Sequence, residues 1–511
     1  MRILTAILLA LFASVLVRAD AGDIAAVSRS VVRVAVFSDA EGQRTFIGHG
    51  SGVAVAPDKI VTNSHVVADA EYDQSATFRV VPSQGSGSYE AKLIATLPGK
   101  DLALLQIVGG RLPPATLYSG PVSDGADVIA IGYPANVDVA LETSDDDKLN
   151  PQIPVKTHGS ISAGRTSKSV DSILHTAPIA PGNSGGPLVD ACGRVVGINS
   201  FGALAQEGGA EFYFAISTRE VDDFLRAQKV AFTAIATPCR SAAELSAAEA
   251  EHEAANRAKI EAAAREATEK RALAEGKARR DAQYAVIGAR ENHMALSAFL
   301  LVLALGAAGA AWQFHERAQR DRFKLAAGAG GAMLFAAIVI FAARPSFDRV
   351  EERVTAVLGS DIAPGATPPA KVEASKTAAR KICVIQLDRS RITVSKTDDV
   401  AFSWDDKGCV NGRTQYAENG DRWTRTLVPG SDEAVSVISY SPGDSSYRVE
   451  RYLLGIDAMA KARDARNRYA VNGCAADESI RNKVDAMNKA VRAVLPATAN
   501  ETLLFDCRDA K

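Results

Sequence analysis

The chain has 511 residues, 47% apolar and 23% charged, which excludes a disordered or collagen-like polymer and exceeds what one compact core accommodates. Its 58 Lys and Arg balance 60 Asp and Glu, so no polycationic surface for nucleic acid is implied. Six Cys are too few for a disulfide-built miniprotein but enough for three bridges in an oxidising compartment.

Residues 1–21 open with Met1-Arg2, run through apolar Ile3 to Val17 and reach Ala19-Asp20-Ala21, the pattern of a secretory signal peptide cleaved after Ala21. From Ser30 to Ser217 the chain reads as short Val- and Ile-rich strands, among them Val31 to Phe37, Gly52 to Val55, Leu102 to Ile107, Val128 to Ile131 and Val195 to Ile198. Gly, Pro and Asp separate them, which predicts an all-β barrel or sandwich. Arg219 to Gln228 then predicts one closing helix, with Val221, Phe224 and Leu225 on a single face.

From Ser241 to Arg290 the composition shifts to Ala, Glu, Arg and Lys without Pro, which predicts a long helix. Glu261 with Arg265 and Glu266 with Lys270 are i,i+4 pairs in the favourable order. Bulky apolar residues are sparse before Tyr284, so the reading is a solvated single helix or a weak coiled coil. Met294 to Trp312 and Leu325 to Ala343 are free of charges and each long enough for one bilayer crossing, which predicts a transmembrane hairpin around an inner loop at 313–324. An Ala- and Pro-rich linker follows at 359–376. Residues 380–511 then predict an α+β domain: strands at Ile382 to Ser395, Ala401 to Trp404, Trp423 to Val428, Ala434 to Tyr440 and Tyr447 to Leu454, and helices at Asp457 to Tyr469 and Glu478 to Val494. It has no His and no chemical motif, and its charged residues read as ordinary surface.

The informative segment is Gly182-Asn183-Ser184-Gly185-Gly186-Pro187. A Ser flanked by glycines can sit on a tight turn with neighbouring N–H groups free to converge on an oxyanion. Its hydroxyl is a poor nucleophile at neutral pH and needs a base, which in turn needs an orienting acceptor. His65, in Thr62-Asn63-Ser64-His65-Val66-Val67, and Asp101, opening Asp101-Leu102-Ala103-Leu104-Leu105 where the apolar run would bury it, are the candidates.

Together, in the order His, Asp, Ser, and with Gly50-Ser51-Gly52-Val53, Gly197-Ile198-Asn199-Ser200 and Phe214-Ala215-Ile216, these motifs closely resemble the HtrA (DegP-like) trypsin-like serine peptidases over residues 25–228. The resemblance implies two six-stranded β-barrels with the active site between them, and a protease domain at 22–230. It makes Ser184 the nucleophile, His65 the general base and then acid, and Asp101 the group that holds the His65 tautomer. The N–H groups of Gly182 and Ser184 would form the oxyanion hole. Pro178, Asn199 and Ser200 would line the substrate pocket, with no carboxylate for a Lys or Arg. Substrates are then proteins or peptides, with no metal and no organic cofactor, and homo-oligomers are allowed.

The PDZ domains typical of the family are replaced here by the helix, hairpin and α+β domain. Between Gly132-Tyr133-Pro134 and Val155 lies an enlarged loop with Glu142, Asp145, Asp146 and Asp147, read as a lid and not as a metal site. The expected whole is therefore a multidomain envelope endopeptidase of the bacterial inner membrane, with protease and C-terminal domain on the periplasmic side. The alternative is a peptide-binding chaperone or transmembrane stress sensor in which proteolysis is minor; His65 and Asp101 argue for the enzyme, because a binding module needs neither. Six Cys permit 15 full pairings and the sequence does not fix the connectivity; with bridges kept within domains, the favoured set is Cys192 with Cys239, Cys383 with Cys409 and Cys474 with Cys507.

Overall fold

The computed structural model describes residues 20–39, 44–68, 75–167, 170–203, 211–361, 379–471, 473–474 and 478–510. The signal segment up to residue 19 and the linker from residue 362 lie outside them. The chain forms two compact units, one drawn from residues 1–250 and 376–511 and the other from residues 251–375.

In the first unit, helix α1 (Ala21–Ser28) leads into strands β1 (Val31–Ser38), β2 (Thr45–Ala56), β3 (Lys59–Thr62), β4 (Ala76–Pro82), β5 (Tyr89–Leu97) and β6 (Leu102–Ile107), which close into a barrel in the order β1-β2-β3-β6-β5-β4. Alternation along the strands assigns each face. Val32, Val34, Ala54, Ile60, Ala103 and Leu105 fill this barrel, while Val31, Val53, Val61, Leu102 and Leu104 point the other way into a core shared with the second. Burial on both faces is why β6 reads as a nearly unbroken apolar run.

The second sheet contains β7 (Leu117–Tyr118), β8 (Asp127–Gly132), β9 (Val155–Ser167), β10 (Val170–His175), β11 (Pro187–Val189), β12 (Val195–Ala203), β13 (Phe212–Ser217) and β14 (Ala234–Ile235). Its order is β11-β8-β9-β10-β13-β12, closed by the β11–β12 pairing, with β7 and β14 appended. The short helix α2 (Ala135–Ala140) begins the enlarged loop, and α3 (Thr218–Ala227) buries Val221, Phe224 and Leu225.

The C-terminal sheet has nine antiparallel strands: β15 (Ala379–Ile385), β16 (Val400–Trp404), β17 (Cys409–Val410), β18 (Thr414–Gln415), β19 (Ala417–Asn419), β20 (Arg422–Leu427), β21 (Ala434–Ser441), β22 (Ser446–Leu453) and β23 (Glu501–Asp509). They run in the order β18-β17-β16-β15-β23-β22-β21-β20-β19. Tyr416 alone separates β18 from β19 at the opposite edges of that order, so the sheet curls on itself. Phe402, Trp404, Tyr416, Trp423, Tyr440, Tyr447 and Phe505 cluster together in one core. Helices α7 (Ile456–Asn467) and α8 (Glu478–Arg492) cover a second one, bringing Met459, Ala462, Met487 and Val491 against Val435 and Tyr452. The predicted strand from Ile382 to Ser395 is corrected: it ends at Ile385, and the Glu501 carboxylate collects the N–H groups of Thr393, Val394 and Ser395 at 2.6 to 2.8 Å, holding them as a loop.

Two charged residues of this domain are core, not ordinary surface. Glu501 is fully buried against Arg451 (2.8 Å), and Arg391 is 3% exposed. The Arg391 guanidinium reaches Asp23 of α1, the Asn500 carbonyl and, at 3.0 Å, the Arg240 carbonyl, while Asn500 Nδ2 donates to Asp23 Oδ1 at 2.9 Å. Ile235 of β14 packs into the aromatic core, so barrels and C-terminal sheet are joined by apolar and charged contacts alike.

The bridges are Cys192–Cys239, Cys383–Cys507 and Cys409–Cys474. The first matches expectation; the other two correct it. Cys383 and Cys507 stand directly opposite in the β15–β23 ladder, whereas Cys409 lies in a hairpin reached from the segment after α7.

In the second unit, Ala242–Glu316 is one helix, α4, whose first residues belong to the first unit, and Arg320–Ala342 is α5. The helix thus absorbs both the Ala-rich stretch and the first apolar segment, because no Pro interrupts them. The predicted twelve-residue loop shrinks to 317–319, its Arg, Lys and Glu residues being good helix formers. A further helix, α6 (Arg349–Asp361), sets Val350 and Val354 against Ala282 and Val286 of α4.

Candidate active site

Antiparallel pairing of β3 with β6 places Thr62 opposite Ala103, so the residues just after β3 and just before β6 meet at one barrel end. Asn63 Nδ2 donates to the Asp101 carbonyl at 2.8 Å and fixes that meeting. Asp101 follows a one-turn 3-10 helix in a left-handed conformation (φ 52°). Its carboxylate accepts His65 Nδ1 at 2.9 and 3.0 Å, the His65 N–H at 3.1 Å, the Ser64 hydroxyl at 3.0 Å and the Ser200 hydroxyl at 2.5 Å. The carboxylate is half-buried, less than the apolar run suggested. Burial alone would raise its pKa, but the hydrogen bonds from His65 and Ser200 prevail and hold it below the ordinary value.

The β11–β12 ladder pairs Pro187 with Ile198 and continues through Gly185 N–H to the Asn199 carbonyl and Asn199 N–H to the Gly186 carbonyl, both 2.8 Å. That brings Ser184 beside Ser200. The Ser184 hydroxyl donates to the Ser200 carbonyl at 3.0 Å and makes no hydrogen bond to His65, so Ser200 touches both halves of the constellation.

Gly182 has φ +95°, and a Cβ there would stand 2.3 Å from the Tyr133 carbonyl, so only glycine fits this turn. Ser51 braces the turn, accepting the Tyr133 N–H and donating to the Gly182 carbonyl at 2.7 Å, while its own N–H reaches the Ser184 carbonyl at 2.8 Å. Among the described residues neither the Gly182 nor the Ser184 N–H donates to a protein acceptor.

Of the expected pocket residues, Pro178 is exposed, its carbonyl held by Thr157 Oγ1 at 2.6 Å. Asn199 is fully buried, and its amide donates to the Pro187 carbonyl, so its side chain supports the turn and does not line the cleft. Ser200 spends its hydroxyl on Asp101. The bracing hydroxyls of Ser51 and Ser64 were not among the expected functional groups, although each sits inside a quoted motif, and Ser200, expected in the pocket, braces Asp101 instead. The loop carboxylates disperse: Asp145 pairs with Lys148 at 2.8 Å and Asp147 caps Ser144. Among the described residues no group of three or more His, Cys, Asp or Glu converges as a metal site.

Two closed six-stranded barrels and this constellation define a trypsin-like serine peptidase domain, and residues 50–198 match the trypsin-like peptidase domain family. Within that class the domain is similar to HtrA, DegP-like proteases. A serine protease of Mycobacterium tuberculosis strain H37Rv is 30% identical over 181 residues, covering 34% of this chain and 40% of the relative. A DegP-like periplasmic serine endoprotease of Pseudomonas fluorescens is 36% identical over 160 residues, 31% of this chain and 30% of the relative. One from Ectopseudomonas mendocina is 38% identical over 164 residues, with the same coverage. The chain thus spans well under half the length of these relatives.

Proposed function

We propose that the whole chain is a membrane-anchored envelope endopeptidase that cleaves misfolded or regulatory proteins, with Ser184, His65 and Asp101 as its triad. The observation that carries this reading is the Asp101 carboxylate bound to His65 Nδ1 beside the Gly-rich turn of Ser184. With Nδ1 engaged, His65 presents Nε2 as the base. Rotation of the Ser184 hydroxyl from the Ser200 carbonyl towards Nε2 then gives the attacking oxygen. Ser184 Oγ bonds to the substrate carbonyl carbon as its proton passes to His65; the Gly182 and Ser184 N–H groups receive the oxyanion. His65 next protonates the leaving amine, and water repeats the sequence to free the acid and Ser184. The segment expected to border the primary pocket, Thr176-Ala177-Pro178-Ile179-Ala180-Pro181, has no carboxylate for a buried cation, so cleavage follows small or medium apolar residues such as Val, Ala or Leu.

The anchor is the hairpin of α4 and α5, each with a window of mean hydropathy 2.2 that is mostly exposed. Two findings support two crossings with both folded domains on the periplasmic side. The barrels and the C-terminal sheet pack together as one unit, and α6 returns to the part of α4 that precedes its apolar segment. The three disulfides fit an oxidising compartment.

The test is labelling of the purified chain with a fluorophosphonate. Wild type should label and degrade unfolded casein, and Ser184→Ala and His65→Ala should do neither, losing about four to six orders of magnitude in turnover. Cleavage by Ser184→Ala at the wild-type rate would sink the assignment. Reporter fusions after residues 240, 318 and 400 should read outside, inside and outside; an inactive alkaline phosphatase at 400 would refute the hairpin.

A further inference from the structure

Ser51 shares a face of β2 with Val53 and Val55, which enter the core common to both barrels, and it is fully buried there. A hydroxyl in such a place costs free energy unless it is hydrogen-bonded. This one is engaged as acceptor and as donor, taking the Tyr133 N–H at 2.9 Å and giving its proton to the Gly182 carbonyl at 2.7 Å. Glycines keep the room around it: a Cβ on Gly132 would stand 2.8 Å from Ser51 Oγ, and one on Gly185 would stand 2.2 Å from the Ser51 carbonyl oxygen.

Three consecutive peptide groups lead from Pro181 into Ser184. A trans peptide points its N–H and C=O in opposite directions, so a carbonyl held on one side aims the N–H at the other. The Pro181 carbonyl accepts the Ala135 N–H at 2.8 Å, and the Asn183 carbonyl accepts the Gly186 N–H at 3.0 Å. The amides opposite these two carbonyls belong to Gly182 and Ser184, the donors left free for an oxyanion. The middle peptide, between Gly182 and Asn183, has its carbonyl on Ser51. It is bonded covalently to both neighbours, so rotating it turns both donors. Acceptance of the Tyr133 N–H leaves the Ser51 proton for Gly182, and Tyr133 stands two residues before Ala135, so the same hydroxyl also steadies the segment that holds the first peptide. The Ser51 backbone completes the link between the halves of the constellation. Its N–H reaches the Ser184 carbonyl at 2.8 Å, and its carbonyl accepts Thr62 Oγ1 at 2.7 Å, three residues before His65.

We propose that Ser51 is a positioning residue for the oxyanion-binding turn: through the Gly182 carbonyl and the Tyr133 N–H it holds the Gly182 and Ser184 N–H groups where the tetrahedral oxygen forms. The proposal rests on the peptidase reading above. The Ser51 hydroxyl bonds to neither His65 nor Asp101, so its effect is on the charge that develops in the transition state and not on substrate binding or on the base.

The test compares wild type, Ser51→Ala and Ser51→Cys as full chains in detergent, on an internally quenched peptide with Val before the cut. Rates are expressed per active site, titrated to completion with a fluorophosphonate. Ser51→Ala should lower kcat about thirtyfold and leave KM within about twofold, a smaller loss than the hundredfold or more that follows removal of an oxyanion donor itself. A peptide aldehyde, whose carbonyl carbon Ser184 Oγ attacks to leave an oxygen in the same place, should bind more weakly by the same factor as kcat/KM falls. The acid limb of kcat/KM, set by His65, should keep its midpoint. Ser51→Cys fills the space with a weaker donor and should lie between the other two; it decides the comparison alone if Ser51→Ala does not fold. Wild-type kcat per titrated site in the variants, even with reduced stability in urea, would overturn the proposal, as would a loss confined to KM or a displaced acid limb. Wild type that neither labels nor cleaves would instead overturn the peptidase reading beneath it.

Discussion

Replacing Arg391 with Met removes the guanidinium that joins the C-terminal sheet to α1, and the structure sets the size of the loss. Burial already raises the Asp23 carboxyl to about 6 despite the attraction of Arg391. Without the Arg its pKa rises further, and at pH 7 the folded variant protonates Asp23. The extra charge-related cost is then limited to the interval between about 6 and 7, or about 1.4 kcal/mol. The Arg240 and Asn500 carbonyls lose donors in the same substitution, at about 1 kcal/mol each, for a total of about 3 kcal/mol. The sign with pH follows. Above pH 6 the folded variant binds one proton more than folded wild type, so the deficit grows by up to about 1.4 kcal/mol per pH unit, and below pH 6 the charge-related part disappears. Urea unfolding of the full chain in micelles, followed through buried Trp404 and Trp423, reads this directly. Adding Asp23→Asn to the variant should abolish the pH dependence. A loss under 1 kcal/mol, or one that is the same at pH 6 and pH 8, would refute the reasoning.

His175, fully buried at the end of β10, is pushed down to about 4 by desolvation, against about 6.5 when unfolded. Stability should therefore fall as pH drops through 6.5 and keep falling to about 4, by about 3 kcal/mol in all, and His175→Met should show a shallower acid slope; equal slopes in urea titrations would exclude the imidazole. Non-reducing peptide mapping should recover Cys383 with Cys507 and Cys409 with Cys474, and a Cys383–Cys409 peptide would contradict the β15–β23 register.

What the sequence made legible follows the range of the interactions involved. The barrels and the constellation of His65, Asp101 and Ser184 are read from motifs because each lies at a strand end, where local alternation and glycine turns mark the boundary. Strand β23 escaped notice, although Thr502 to Phe505 is apolar enough, because it enters the middle of a sheet whose first strand lies more than a hundred residues earlier. The two cysteine pairs of the C-terminal domain failed for the same reason: proximity in sequence says little about which strands are neighbours. Arg391 and Glu501 resembled surface charges because their burial depends on partners from distant parts of the chain. Helix α6 was hidden by its mixed composition and emerges only where Val350 and Val354 meet α4.

Barrels and C-terminal sheet share one folded unit although residues 251–375 separate them along the chain, so that unit is built from two stretches of polypeptide with an insertion between them. No bridge crosses from residues 20–250 to residues 379–510: Cys192–Cys239 closes within the former and the other two within the latter. A nick in the insertion would therefore produce two polypeptides that stay associated through Asp23, Arg391, Asn500 and the Ile235 contact, and that separate only when those contacts are denatured.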